Sequence, residues 1–137
     1  MKKILLVFVG IAIIGGAIGI YLYNKPHQSM QKMKVTKETS SAEITSAYQK
    51  DETIADKEFL GKVISITGTV QNIEQNDPIT IVMKGSDLMS TVRCQLDHLT
   101  EHPGLDNLKS NDAITVKGIC TGYLMDVVLE RCIIIKP

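Results

Sequence analysis

Residues 111–134, NDAITVKGICTGYLMDVVLERCII, are the stretch that decides the fold. Apolar or small side chains alternate with other residues at Ile114, Val116, Gly118 and Cys120, and this period of two is typical of a half-buried strand. Residues 121–124 predict a tight turn, and residues 127–135 predict a second strand. The stretch therefore predicts a β-hairpin close to the C-terminal end.

Three more strands are predicted upstream of this hairpin. The first contains apolar residues from 63 to 70 and a kink at Gly68, the second covers 79–83, and the third covers 91–96. Residues 98–107 contain Pro103-Gly104 and predict a loop or a short helix. Five short strands with an insertion between the third and the fourth match an OB-fold, a partly open Greek-key barrel. Gly68 is the expected point where the first strand bends to serve both halves of the barrel.

Helical signals precede the strands. Ser40 and Glu43 have the spacing of a capping box. Asp51 begins a second set of residues with helical spacing, and Gly61 is a residue that commonly ends a helix. We therefore predict one bent helix or two short helices across 41–60. The predicted fold class is mainly β, a five-stranded OB-fold barrel with N-terminal helices.

The N-terminal end predicts a single transmembrane helix. Residues 4–23 contain no charged side chain, and 20 residues of helix span about 30 Å, the thickness of the bilayer core. A cleaved signal peptide is the alternative, but the apolar run is longer than usual and no A-x-A-like site follows it. The predicted organisation is an anchor at 1–24, a linker at 25–40 and an OB-fold domain with its helical segment at 41–137.

Localisation follows from this anchor. Lysines flank it on both sides, so the positive-inside rule alone does not decide the orientation. A short N-terminus followed by one long domain usually exports the domain. We expect a single-pass membrane protein with its domain on the extracytoplasmic side.

Three segments of the chain resemble the tRNA_anti-like family of bacterial OB-fold proteins. They are residues 51–73, DETIADKEFLGKVISITGTVQNI, residues 92–96, VRCQL, and the 111–134 stretch. The resemblance covers roughly residues 41–136. It implies a membrane or envelope protein of unassigned activity, and it supplies no active site, because function does not follow from fold.

The charge distribution weighs against nucleic acid as the partner. Six of the 15 Lys and Arg residues lie within the first 37 residues and all 15 acidic residues lie after them, so residues 38–137 have a net charge of −6. Binding to single strands needs basic grooves and stacking aromatic rings. Only Tyr48, Phe59 and Tyr123 supply such rings after the anchor, and all three have core packing as the alternative role.

Four residues are candidates for ligand binding. Tyr123 lies in the predicted hairpin turn and Asp126 follows it, and both are candidates for a binding rim; the alternative is that the Asp126 carboxylate only fixes the turn. Arg93 and Lys117, together with Lys62, are candidates for one external face. The alternative is that they are separate, solvated strand residues.

The cysteines and histidines leave alternatives open. Cys94 and Cys132 are the candidates for a disulfide, because the third and fifth strands close an OB barrel; alternatively Cys94, Cys120 and Cys132 are all small core residues. His98 and His102 are four residues apart, but Pro103 and Gly104 favour a solvated loop. We expect no metal and no cofactor. Since no catalytic motif is present, we expect no enzyme activity.

Three functions are compatible with these observations. The first is a membrane-anchored OB-fold binding module of the cell envelope, with a protein, a peptide or a small molecule as its ligand. The second is a nucleic-acid-binding OB domain held at the membrane. The third is an accessory or structural subunit of a membrane complex, in which the anchor pairs with a protein partner. The first is the function we favour.

Overall fold

The fold is a closed five-stranded barrel with helices and one extra strand on its N-terminal side. The structure is a computed structural model that describes residues 1–25 and 28–136, without the side chain of Lys136. Its elements are α1 (Lys2–Tyr23), β1 (Lys37–Ser40), α2 (Ser41–Lys50), α3 (Glu52–Phe59), β2 (Val63–Glu74), β3 (Thr80–Lys84), β4 (Thr91–Leu96), a 3-10 helix (Leu105–Asn107), β5 (Ala113–Leu124) and β6 (Asp126–Lys136). The predicted OB-fold class is confirmed.

Strand β2 closes the barrel because its two halves pair with different neighbours. Residues 63–69 pair antiparallel with β5, and residues 70–74 pair antiparallel with β3. Strand β4 then pairs with β3 and lies parallel to β6. Gly68 lies just before the change of partner, and a Cβ there would come within 2.3 Å of Ser41 Oγ. The strand therefore serves both halves, as predicted, but its register shift lies between Val70 and Asn72.

The two short helices plug one end of the barrel. Helix α2 begins with the predicted capping box between Ser40 and Glu43, and Asp51 caps α3. Gly61 follows α3 with a φ of 73°, a conformation that glycine adopts without strain. The helices place four apolar side chains in the main core, Ile44, Tyr48, Ala55 and Phe59.

Part of the predicted linker is folded against the barrel. Residues 37–40 form β1, which pairs parallel with the first half of β2. Met30 is fully buried against Val63 and Ile133 in a small second cluster outside the barrel. Pro26 and His27, also within the predicted linker, lie outside the described residues. Because this segment is mostly polar, its sequence predicted neither the buried methionine nor the short strand.

The hairpin turn lies later than the sequence predicts. Strand β5 continues to Leu124, which pairs with Asp126, so the turn centres on Met125. Met125 has a φ of 72°, which is uncommon for a residue other than glycine. The turn was predicted at 121–124, but all four of these residues lie within strand β5. The longer strand leaves Leu124 and Met125 at the tip.

Helix α1 is separate from the barrel core. In the described part of the chain it is the one helix long and apolar enough to cross a membrane, and its residues are not buried against the rest of the protein.

Candidate functional site

The candidate site is a cleft of about 420 Å³ on the outer side of the barrel, where β4 ends. Gln95 and Leu96 come from the end of β4, and Asp97, His98 and Leu99 follow them. Pro78 and the β6 residues Glu130 and Arg131 complete the lining. The OB-fold commonly binds its ligands on the face of its second and third strands, which here are β3 and β4.

An extra residue in β6 shapes this cleft. Between Ile119 and Lys117, β5 advances by two residues while β6 advances by three, from Glu130 to Ile133. The pairing with β4 shows the same mismatch between Cys94 and Leu96. Arg131 accommodates the extra residue with a φ of 54°. Such bulges re-aim side chains and are frequent beside functional sites, and this one brings Glu130 and Arg131 to the cleft.

Asp97 fixes the loop that forms one wall of the cleft. Its carboxylate is buried and accepts hydrogen bonds from the Leu99 backbone N–H at 3.1 Å and from Thr100 Oγ1 at 3.3 Å. Its backbone N–H donates to the Cys132 carbonyl at 2.9 Å. The Asp97 carbonyl lies 2.9 Å from His102 Nε2. Loop and strand are thus held together, and the cleft is preformed.

The two histidines do not converge. His98 is exposed at the cleft, whereas His102 is turned inward onto Asp97, and its Nδ1 is buried without a hydrogen-bond partner. Across residues 1–25 and 28–136, no three His, Cys, Asp or Glu side chains are grouped as metal ligands would be.

The predicted binding residues lie in separate places. Arg93 is on β4 and makes a bidentate ion pair with Glu74, at 3.1 Å and 2.5 Å. These hydrogen bonds raise the pKa of the Arg93 guanidinium. Asp126 accepts a hydrogen bond from Thr91 Oγ1 at 2.7 Å, which ties the start of β6 to the start of β4.

Tyr123 packs against the helical plug. Its ring stacks on Tyr48 with centroids 5.4 Å apart and 15° between the planes. The Tyr48 hydroxyl lies 3.6 Å from Cys120 Sγ, and burial raises the pKa of Tyr48 well above its usual value. Tyr123 therefore has a packing contact that occupies one face of its ring.

The expectation that Lys62, Arg93 and Lys117 share one external face is wrong. The Lys62 ammonium donates to the carbonyls of residues 57 and 58 at the end of α3. Lys117 is buried, and its ammonium donates to the carbonyls of residues 31 and 33 at 3.2 Å and 3.1 Å. The three cations therefore contact three different parts of the protein: Arg93 contacts Glu74, Lys62 contacts the end of α3, and Lys117 contacts the segment before β1.

The three cysteines are buried free thiols in this structure. Burial raises the pKa of the Cys120 thiol. The pKa of the Cys132 thiol is raised mainly by burial and, to a smaller extent, by a hydrogen bond with Cys94. Cys94 and Cys132 lie on the adjacent strands β4 and β6, and Cys132 is the register partner of Leu96, two residues along β4 from Cys94. The disulfide between them stays a prediction.

The cleft residues themselves were not selected from the sequence. Gln95 and Glu130 lie within the predicted strands 91–96 and 127–135, but nothing in the sequence singled them out as ligand-binding residues. Arg131 gave no signal, because the bulge that positions it depends on two neighbouring strands.

Comparison with known proteins agrees with this architecture. The family model described as tRNA_anti-like matches residues 1–134. The chain belongs to the tRNA_anti-like family. No curated protein matches it.

Solved structures share the fold at low sequence identity. A "putative nucleic acid-binding lipoprotein" from Klebsiella pneumoniae is 13% identical, with a TM-score of 0.58, and the match covers 82% of this chain and 100% of that one. A "putative aspartyl-tRNA synthetase" from Leishmania major is 10% identical, with a TM-score of 0.46, over 89% of this chain and 26% of that one. At 13% identity the first similarity establishes the fold alone.

Proposed function

We propose that this tRNA_anti-like protein is a membrane-anchored OB-fold binding module of the cell envelope. Helix α1 is the anchor, and the barrel lies on the extracytoplasmic side. The ligand is a protein segment or peptide with a basic or hydrogen-bond-donating side chain, bound in the cleft at the end of β4.

The observation that carries this proposal is the charge arrangement around the cleft. Glu130 is exposed in its lining, and Asp97, whose carboxylate is buried, is also a lining residue. Arg131 is the cation there, and one of its guanidinium nitrogens already donates to the Gln28 carbonyl at 2.8 Å. An acidic and partly apolar cleft favours a cationic or neutral ligand over a polyanion, because like charges repel.

The internal partners of the basic side chains support the same conclusion. Nucleic-acid affinity comes largely from lysines and arginines that are free to neutralise phosphates. On this barrel Arg93 faces Glu74, and Lys62 and Lys117 donate to backbone carbonyls. Phosphate binding at these three side chains would have to compete with these contacts.

Binding rather than catalysis is the role proposed for the cleft. The Asp97 carboxylate is already engaged by Leu99 and Thr100, and His98 and Glu130 are exposed at the lining. General acid–base catalysis needs groups that are free to exchange a proton with the substrate, so the two hydrogen bonds on the Asp97 carboxylate support binding over catalysis.

Nucleic acid is the second candidate ligand. The description of the Klebsiella pneumoniae lipoprotein, which has the same fold, favours it. The third candidate, an accessory subunit of a membrane complex, uses the same anchor but needs no free cleft.

Backbone amide NMR on the full chain in lipid nanodiscs separates these candidates. The probes are a lysine-containing hexapeptide, the same peptide with glutamate in place of lysine, and a thymidine 15-mer. We expect the lysine peptide to shift the amides of residues 95–99 and 130–131, and Glu130→Gln to weaken that effect. Glu101→Gln, an exposed acid outside the cleft lining, is the matched control.

Binding of the 15-mer that weakens steeply with salt would replace the proposal by the nucleic-acid function. No shift at the cleft with any of the three probes would favour the accessory subunit.

A further inference from the structure

Two adjacent turns form an exposed apolar tip on the barrel. Leu88 and Met89 lie in the loop between β3 and β4, and Leu124 and Met125 lie at the β5–β6 turn. Their exposed fractions are 100%, 90%, 85% and 85% respectively. We call these four residues the apolar tip. Scattered exposed apolar residues are normal, but a group of them marks an interaction site.

The two turns are held side by side. Val92 is the register partner of Val127 in the parallel β4–β6 pair, and Thr91 donates to Asp126 at 2.7 Å. The loop before β4 and the turn before β6 must therefore leave the barrel at the same end.

The loop that contains Leu88 and Met89 is rigidly built. Asp87 Oδ1 accepts from the backbone N–H groups of Met89 and Ser90, each at 2.8 Å. The Gln49 side chain donates to Asp87 at 2.9 Å, and Thr45 accepts from the Ser86 N–H at 2.8 Å. Helix α2 thus supports the loop from behind, and the two apolar side chains are kept outward.

The tether to α1 is short because most of the N-terminal segment is bound to the barrel. Arg131 holds the Gln28 carbonyl, Met30 is buried, and Lys117 holds the carbonyls of residues 31 and 33. Five residue steps separate Tyr23, the end of α1, from Gln28, and these span at most about 17 Å. The barrel is therefore confined to the surface of any membrane that α1 crosses.

This confinement brings the apolar tip within reach of the bilayer. Along β6, Met125 lies six residues from Arg131, or about 20 Å at the usual rise of a strand. This distance is comparable to the reach of the tether, so a barrel that tilts toward the membrane can bring the tip to the headgroups while residues 28–33 stay bound to it. Lys25, Lys32 and Lys34 also lie in this segment and are attracted to anionic headgroups.

We propose that the apolar tip inserts into the lipid headgroup region as a second membrane contact of the barrel. The proposal rests on the anchoring role of α1 in the proposed function. The four side chains are exposed on two turns at the same end of the barrel, which suits insertion into lipid. The carboxylates beside it, Asp87 and Asp126, already accept hydrogen bonds. The second contact fixes the orientation of the barrel and of its cleft.

A single tryptophan reports the position of the tip, because the chain contains none. Leu124→Trp and Leu88→Trp each place one on a different turn. Ala113→Trp is the matched control, since Ala113 is exposed at the opposite end of β5. Each full-length variant is reconstituted into phosphatidylcholine–phosphatidylglycerol vesicles, with or without brominated acyl chains, and vesicle flotation is measured in the same samples.

We expect both tip variants to show a blue-shifted emission and strong quenching by the brominated lipid, with little of either in Ala113→Trp. Vesicle-bound protein whose tip tryptophans remain accessible to iodide would overturn the tip contact and leave the anchor intact. Tip tryptophans shielded from iodide but not quenched by brominated lipid would overturn it in favour of contact between copies of the chain. Failure of the chain to float would overturn both the anchor and the tip contact.

Discussion

Lys117 is a buried cation that joins the N-terminal segment to the barrel. Its ammonium donates to the carbonyls of residues 31 and 33. We predict that Lys117→Met leaves these carbonyls without a partner and costs about 1–3 kcal/mol. Urea unfolding of the full chain in detergent micelles measures the change.

Lys109→Met is the control, because Lys109 is exposed and its substitution should leave the unfolding midpoint nearly unchanged. Equal unfolding midpoints for both variants would contradict the stabilising role of the Lys117 hydrogen bonds.

Gly118 allows β5 to approach β6 closely. A Cβ at this position would lie 2.5 Å from Cys132 Sγ and 3.1 Å from the Glu130 carbonyl oxygen. We predict that Gly118→Ala destabilises the barrel by about 1–3 kcal/mol through overpacking. Removal of the sulfur in Gly118→Ala/Cys132→Ala should recover part of that loss, and a double-mutant cycle of urea midpoints measures the coupling. Strict additivity of the two changes would refute the contact.

The buried thiols predict a loss of stability at alkaline pH. The folded pKa values of Cys120 and Cys132 are raised, whereas an unfolded cysteine ionises near about pH 8.5. Above that pH the unfolded state loses its thiol protons first, so the free energy of unfolding falls as pH rises. Urea midpoints under reductant, from about pH 7.5 to 9.5, should show this fall.

The double variant Cys120→Ala/Cys132→Ala separates this effect from other titrations. It should be less stable at neutral pH and should lose less on going to alkaline pH. An identical slope in the variant and the natural chain would mean that other groups cause the change.

Local signals could be read from the sequence, and long-range ones could not. Ser40 with Glu43, Asp51 and Gly61 act on residues within a few positions, so their roles followed from spacing. The partners of Lys117 are 84 and 86 residues away. Only the folded barrel brings them together, and for this reason the expected basic face was wrong.

At the scale of elements, the capping box of α2 determines how well the helical plug is formed. The Ser40 side chain accepts from the Glu43 N–H at 3.2 Å, and Glu43 accepts from the Ser40 N–H at 3.0 Å. We predict that Ser40→Ala costs about 1 kcal/mol. Ser46→Ala, at an exposed position within the same helix, should be neutral or slightly stabilising. Urea midpoints compare the two, and a greater loss in Ser46→Ala would contradict the cap.

The strands illustrate which elements a pattern can predict. Strand β4, Thr91–Leu96, coincides with its predicted range because its apolar residues alternate strictly. Strand β1 was missed because four mostly polar residues form it only when β2 is beside them. The bulge of β6 was missed for the same reason, and with it the cleft.

On the scale of the whole molecule, a short segment joins α1 to the barrel. The order of strands and helices predicted the OB-fold, because five alternating segments with one insertion fit few other closed sheets. The sequence did not predict that residues 28–40 bind back onto the barrel. This contact shortens the segment between α1 and the barrel to a few residues, and the proposed membrane contact of the apolar tip depends on that short distance.

Membrane topology tests the central claim most directly. The full chain is expressed in a bacterial host, and membranes are extracted with alkaline carbonate, while spheroplasts are treated with protease. The account predicts that the chain stays in the carbonate-washed membrane and that protease removes the barrel from intact spheroplasts. Release of the chain by carbonate, or a barrel that is cleaved only after the spheroplasts are lysed, would contradict it.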